Sequence, residues 1–144
     1  MKVKEYLSRY HYTELKIKRL QEEVNEYIRL ANSIPGCNFD AIRVDGTKSL
    51  DAPFVKWIHK ALDNEQLIGE LKKQLPVIKG EIISIIDELE DSQLKRVLIH
   101  RYIDWLSWSE IAKKLYFSSS KIRRMHDKAL EEITILSKGK GEQG

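Results

Sequence analysis

From Tyr6 onward one set of residues returns at intervals that alternate between four and three: Tyr6, Tyr10, Thr13, Ile17, Leu20, Val24, Tyr27, Ala31 and Ile34. A helix turns once in about 3.6 residues, so this spacing lays the set along one stripe, and the Lys, Arg, Glu and Asn between them fall outside it. The alternation resumes at Phe54 and continues through Trp57, Ala61, Asn64, Ile68, Leu71, Leu75, Ile78, Ile82, Ile85 and Leu89. No strand-like alternation appears anywhere. The chain is therefore expected to be all-α, opening with two long helices over about 2–33 and 54–90 that carry coiled-coil seams. Neither helix can bury its stripe alone.

Two of the three prolines, Pro35 and Pro53, and the turn signals Pro35-Gly36 and Asp45-Gly46 fall in one stretch, which predicts a linker over about 34–53. A helical hairpin is the simplest pairing. So long a linker also permits a parallel pair, or pairing between chains with a homodimer as the result. Pro76 lacks an amide donor and crowds the carbonyl of Lys72, so a bend is expected near Leu75 while the apolar register continues. Thr13 and Asn64 are polar at seam positions, where they either fix register or leave a solvated gap.

From Asp91 the pattern shortens. Asp91 and Ser92 suit the start of a helix carrying Leu94, Val97, Leu98 and Tyr102 and ending near Ile103-Asp104. Ser107-Trp108-Ser109-Glu110 reads as a capping box opening a short helix with Ile111, Ala112 and Leu115 inward. After a turn at Tyr116-Phe117-Ser118, Ser118 caps a last helix from about Ser119 to Ser137, and Lys138 to Gly144 reads as a disordered tail. These dimensions predict a three-helix helix-turn-helix domain over 91–137, following a helical arm over 1–90.

On the last helix Ile122, Met125, Ala129, Ile133 and Leu136 share one face, while Ser120, Arg124 and Asp127 lie opposite, flanked by Lys121, Lys128 and Arg123. Charge follows this division. The whole chain carries only +3, but residues 1–90 hold 14 basic against 15 acidic side chains and residues 91–144 hold 11 against 7. Between 113 and 128 stand Lys113, Lys114, Lys121, Arg123, Arg124 and Lys128 against the single acid Asp127. Cations at the start of a helix neutralise phosphates and reach base edges in the major groove, so this segment is the expected DNA contact. A solvated basic helix face is the bland alternative, and it leaves the capping box, short turn and opposed apolar stripe unexplained.

Other chemistries find little support. The apolar runs are far shorter than the roughly 20 residues of a membrane span, and no basic-then-apolar leader opens the chain. Cys37 has no partner cysteine, and His11, His59, His100 and His126 are too scattered for a local zinc site, so neither metal nor cofactor is expected. Ser118, Ser119 and Ser120 have no assignable base and read as helix-start residues, so no catalytic residue is assigned and the chain is expected not to be an enzyme. His126 reads as a core or solvent-edge histidine rather than a phosphate ligand. Trp108 is expected to pack on its own bundle.

The run Arg101-Tyr102-Ile103-Asp104-Trp105-Leu106-Ser107-Trp108-Ser109-Glu110-Ile111-Ala112-Lys113-Lys114-Leu115, with Ser118 to Ile122 and Met125 to Leu130, resembles region 4 of sigma factors. The chain as a whole is similar to small phage and prophage proteins of Gram-positive bacteria related to the ArpU and RinA late-transcription regulators. The resemblance implies binding to a promoter or operator, with Ser119, Ser120, Lys121, Arg123 and Arg124 facing double-stranded DNA and Ile111, Ala112, Leu115, Ile122 and Leu130 packing inside. Lys113, Lys114 and Lys128 complete the expected DNA-binding set. It departs from the family at Trp105 and Tyr116, where glycine or asparagine, and glycine, respectively, are usual at helix ends favouring a left-handed backbone. Either the turns are re-formed there or packing of the aromatic rings offsets the strain.

The function expected is that of a transcription regulator in the cytoplasm of a bacterial host, its arm dimerising or contacting RNA polymerase. Two alternatives are a small terminase-like DNA-packaging subunit and an adaptor that binds RNA polymerase or sigma without touching DNA.

Overall fold

The computed structural model describes residues 2–33 and 53–143. The expected linker, with Ile34 and Cys37, lies outside them up to residue 52. Every described element is helical: α1 (Val3–Leu7), α2 (Arg9–Ser33), α3 (Pro53–Ile86), α4 (Ser92–Leu98), a π-helical turn (Ile99–Ile103), α5 (Trp108–Leu115) and α6 (Ser119–Gln143). No helix among the described residues is long and apolar enough to cross a membrane.

Several boundaries differ from those expected. The first helix is interrupted at Ser8, whose buried hydroxyl donates to the carbonyl of Lys4 at 2.7 Å and competes with the backbone ladder. At the other end of the second seam, α3 stops at Ile86 instead of running to residue 90. Asp87, Glu88 and Glu90 would crowd the negative end of its dipole, and tighter bonds from the amides of Glu88 and Leu89 to Ile85 and Ile86 close the turn. Leu89 remains buried there all the same. Pro76 lies inside α3, which runs through it as one element. Finally, α6 extends to Gln143, past the expected end at Ser137 and through most of the expected disordered tail. Two glycines cost a helix about 1 kcal/mol each relative to alanine, which weakens but does not stop it.

The chain forms two compact units, Met1–Thr13 with Leu75–Gly144, and Glu14–Gln74. In the second unit Leu20 and Val24 of α2 pack with Ala61 and Ile68 of α3, flanked by Ile17, Tyr27 and Leu71. Tyr27 stacks on Trp57, and the Asn64 amide donates to Glu23 at 2.9 Å. Contacting residues on α3 fall in number as those on α2 rise, so the two segments run antiparallel here. Asn64 has a polar partner rather than a solvated gap.

The first unit has two apolar cores. Leu7, Ile82, Ile86, Leu89, Leu94, Leu98, Tyr102, Ala129 and Ile133 form the larger. Because Leu7 and the end of α3 share it with α4 and α6, this unit begins well before residue 91, where the helix-turn-helix domain is expected to start. Arg9 donates to Glu81 at 2.7 Å, a bond that holds the Glu81 carboxyl below its ordinary range. The smaller core joins Val97, Ile111, Ala112 and Ile122, with Leu106, Trp108, Leu115, Phe117 and Met125 around them.

Candidate nucleic-acid interface

Helix α4 starts where expected: Asp91 accepts from the amides of Gln93, at 2.9 Å, and Leu94. Its continuation loosens into the π-helical turn, in which the amide of Asp104 reaches back to Ile99 and that of Leu106 to His100. Arg101 then spans the exit. Its guanidinium donates to the carbonyl of Leu106 at 2.9 Å and lies 4.2 Å from the ring centre of Trp108. The capping box is formed in full, with Ser107 Oγ accepting from the Glu110 amide and Glu110 reaching back to the amide of Ser107. Ser118 likewise accepts from the amide of Lys121 and starts α6.

Both aromatic residues at glycine-favouring positions have a left-handed backbone, with φ of 54° at Trp105 and 61° at Tyr116. Such a residue costs roughly 1 kcal/mol or more. At Trp105 packing offsets it: the indole stacks on His11 at 3.7 Å and meets Tyr12 and Tyr102 edge-on. Tyr116 has no such return. Its side chain is 93% exposed, while the left-handed turn drops the neighbouring Phe117 against the smaller core and lets the Phe117 amide bond Ala112.

The apolar face of α6 seats it as expected at Ile122, Ala129 and Ile133, which are buried. Leu136 belongs to the same projected stripe but is exposed together with Ile135. Both line an open cavity of about 370 Å³ rimmed by Glu88, Glu90, Asp91 and Glu132, because the core ends one turn earlier. His126 adds a polar member to the buried face. Burial pushes the Tyr102 hydroxyl up to about 12, and it lies 2.6 Å from His126 Nε2, which accepts from it when the Asp127 carboxylate holds the ring proton on Nδ1. His126 Nδ1 then carries the proton facing Asp127 at 3.1 Å. The edge of Trp108 packs on the same imidazole.

Burial is the largest influence on His126 and lowers its pKa, with Asp127 opposing. The unfolded chain takes up a proton near pH 6.5 that the folded ring resists. Stability present above that pH is therefore expected to fall as the pH drops through the folded pKa. Thermal unfolding from pH 7.5 to 5 should show the decline, and His126→Gln, which can still meet Tyr102, should flatten it. The Glu81 contribution is lost separately, in the carboxylate range below about 4.5.

The proposed contact residues divide by exposure. Lys113, Lys114, Ser120, Lys121, Arg123, Arg124 and Lys128 are exposed, and Ser119 is half-buried. Lys121 lies 4.2 Å from the ring centre of Phe117. No salt bridge among the described residues involves any of the six cations. At 100° per residue, Arg123, Ser120, Arg124, Lys128 and Lys121 cover an arc opposite Ile122 and Ala129. Charge held out of the core and without a carboxylate partner among the described residues can meet anions in solution without breaking an ion pair there. No group of three or more His, Cys, Asp or Glu suited to a metal occurs among the described residues. Tyr116 and the Tyr102–His126 pair escaped the sequence reading as site features. The mismatch of a bulky residue with a left-handed helix end signalled the first, whereas partners 24 positions apart left no local signal of the second. Comparison of the chain with protein-family models, curated proteins and solved structures finds no match.

Proposed function

We propose that the chain is a sequence-specific, DNA-binding transcription regulator of the phage type, with α5, the Tyr116–Ser118 turn and α6 acting as a sigma region 4-like helix-turn-helix. The single observation that carries this reading is the cluster of six exposed cations at the end of α5 and the start of α6, none of which has a carboxylate partner among the described residues. The start of α6 would enter the major groove of a promoter or operator, placing Arg123, Arg124 and Ser120 at base edges or phosphates. Lys113, Lys114, Lys121 and Lys128 would hold the flanking backbone. Glu131 and Glu132 make the next turn acidic, which confines contact to the first half of the helix. Leu15, Ile28, Leu62 and Leu67 are exposed apolar side chains of the Glu14–Gln74 unit and would serve a second copy or RNA polymerase.

Selection of bound fragments from phage and host genomes, followed by a salt titration, tests the reading. Enrichment of a defined sequence is expected. The logarithm of affinity should fall with the logarithm of salt at a slope near −5 per bound chain, if about six phosphates are neutralised. A flat salt response without enrichment would leave an adaptor that binds protein alone. Large ring-shaped oligomers would favour DNA packaging over regulation.

A further inference from the structure

Tyr116 has a backbone conformation that disfavours its side chain, and that side chain gains almost nothing from the fold. The two left-handed non-glycine residues contrast directly: Trp105 is packed against three rings, Tyr116 is 93% exposed. Strain without packing at a turn that glycine would suit better points to a role outside the fold.

We propose that Tyr116 is a further DNA contact, its hydroxyl donating a hydrogen bond to a backbone phosphate oxygen beside Lys113, Lys114 and Lys121. The inference rests on the DNA-binding reading above and adds to it a neutral contact in the turn. Three observations favour a phosphate over an apolar protein surface. No acidic residue occurs from 111 to 126, so the tyrosine stands in the most positive stretch of the chain. Its neighbours Leu115 and Phe117 pack at the smaller core, so it stands alone rather than within an apolar patch. The turn is also held firmly, because the amides of both Tyr116 and Phe117 bond the carbonyl of Ala112. A phenol projected from such a turn needs little further ordering to meet a phosphate, and hydroxyl donors are regular partners of DNA backbone oxygens.

Tyr116→Phe, Tyr116→Gly, Lys113→Ala and the pair Arg123→Ala with Arg124→Ala should be compared on a mixed-sequence duplex at low salt. Tyr116→Phe is expected to bind about ten- to a hundredfold more weakly, the loss typical of one hydrogen bond to a charged group. Its salt slope should be unchanged, because a neutral donor releases no counterion, whereas Lys113→Ala should make the slope shallower by about 1. Tyr116→Gly should bind at least as weakly as Tyr116→Phe while melting no lower than the parent, since glycine accepts the left-handed turn. If both tyrosine variants bind like the parent while the arginine pair loses affinity, the inference is overturned and the DNA reading survives. If the arginine pair also binds like the parent, the DNA reading fails as well. Loss in the glycine variant without loss in Tyr116→Phe would overturn the hydroxyl contact. A lower melting temperature in the glycine variant would show that the fold does use the side chain.

Discussion

Replacing Arg123 and Arg124 together by alanine is expected to weaken binding to duplex DNA by on the order of a hundredfold or more at moderate salt. A lost base-edge arginine costs about 1–3 kcal/mol, and two such losses add unless they share a phosphate. Both side chains are exposed, and neither forms a salt bridge with any described residue. Alanine is also a better helix former than arginine, so the melting temperature should stay within a few degrees of the parent. Fluorescence anisotropy against salt separates two ways of reaching the loss. Two phosphate contacts would make the slope shallower by about 2, whereas contacts to bases would lower affinity and blunt the preference for the selected sequence. An unchanged affinity would remove DNA binding from this surface.

Ile122→Ala is expected to have the largest effect on stability, a loss of about 3 kcal/mol in urea unfolding. Ile122 is fully buried between α4 and α5, in the core that it shares with Val97, Ile111 and Ala112. Removing three carbons from such a site loses their transfer energy and leaves a cavity that the surrounding helices can only partly close. Leu136→Ala provides the comparison. It removes the same amount of apolar volume from the same projected stripe, but Leu136 is 38% exposed, and its loss should stay below about 1 kcal/mol. Equal costs at the two positions would mean that α6 is seated along its whole length, contrary to the burial seen.

The seams were legible because every residue in them obeys one local rule. Each described member, from Tyr6 to Ala31 and from Phe54 to Leu89, is buried or half-buried. Leu7 lay outside that pattern and is nonetheless completely buried, because it shares a core with Ile82, Ile86 and Leu89 and with residues of α4, the π-helical turn and α6. Periodicity reports which side of a helix is apolar but not where the partner surface stops. The same limit explains Leu136, which keeps the stripe after the core has ended.

Caps were equally legible, since Asp91, Ser107 and Ser118 each bond amides two or three residues away. The helix ends at Trp105 and Tyr116 stood out only through the family resemblance, which left re-formed turns open beside the left-handed backbone that is observed. What the sequence determined alone was therefore local: the helices, most of their buried faces, their caps, and a concentration of cations between Lys113 and Lys128. Only the tertiary structure decided which core each helix joins, that His126 sits buried against Tyr102, and that the strain is offset by packing at Trp105 but not at Tyr116. The physical reason is range. Hydrogen bonds and helical periodicity act across a few residues, whereas burial depends on surfaces brought together from tens of residues apart, and Trp105 finds His11 only once the chain has folded.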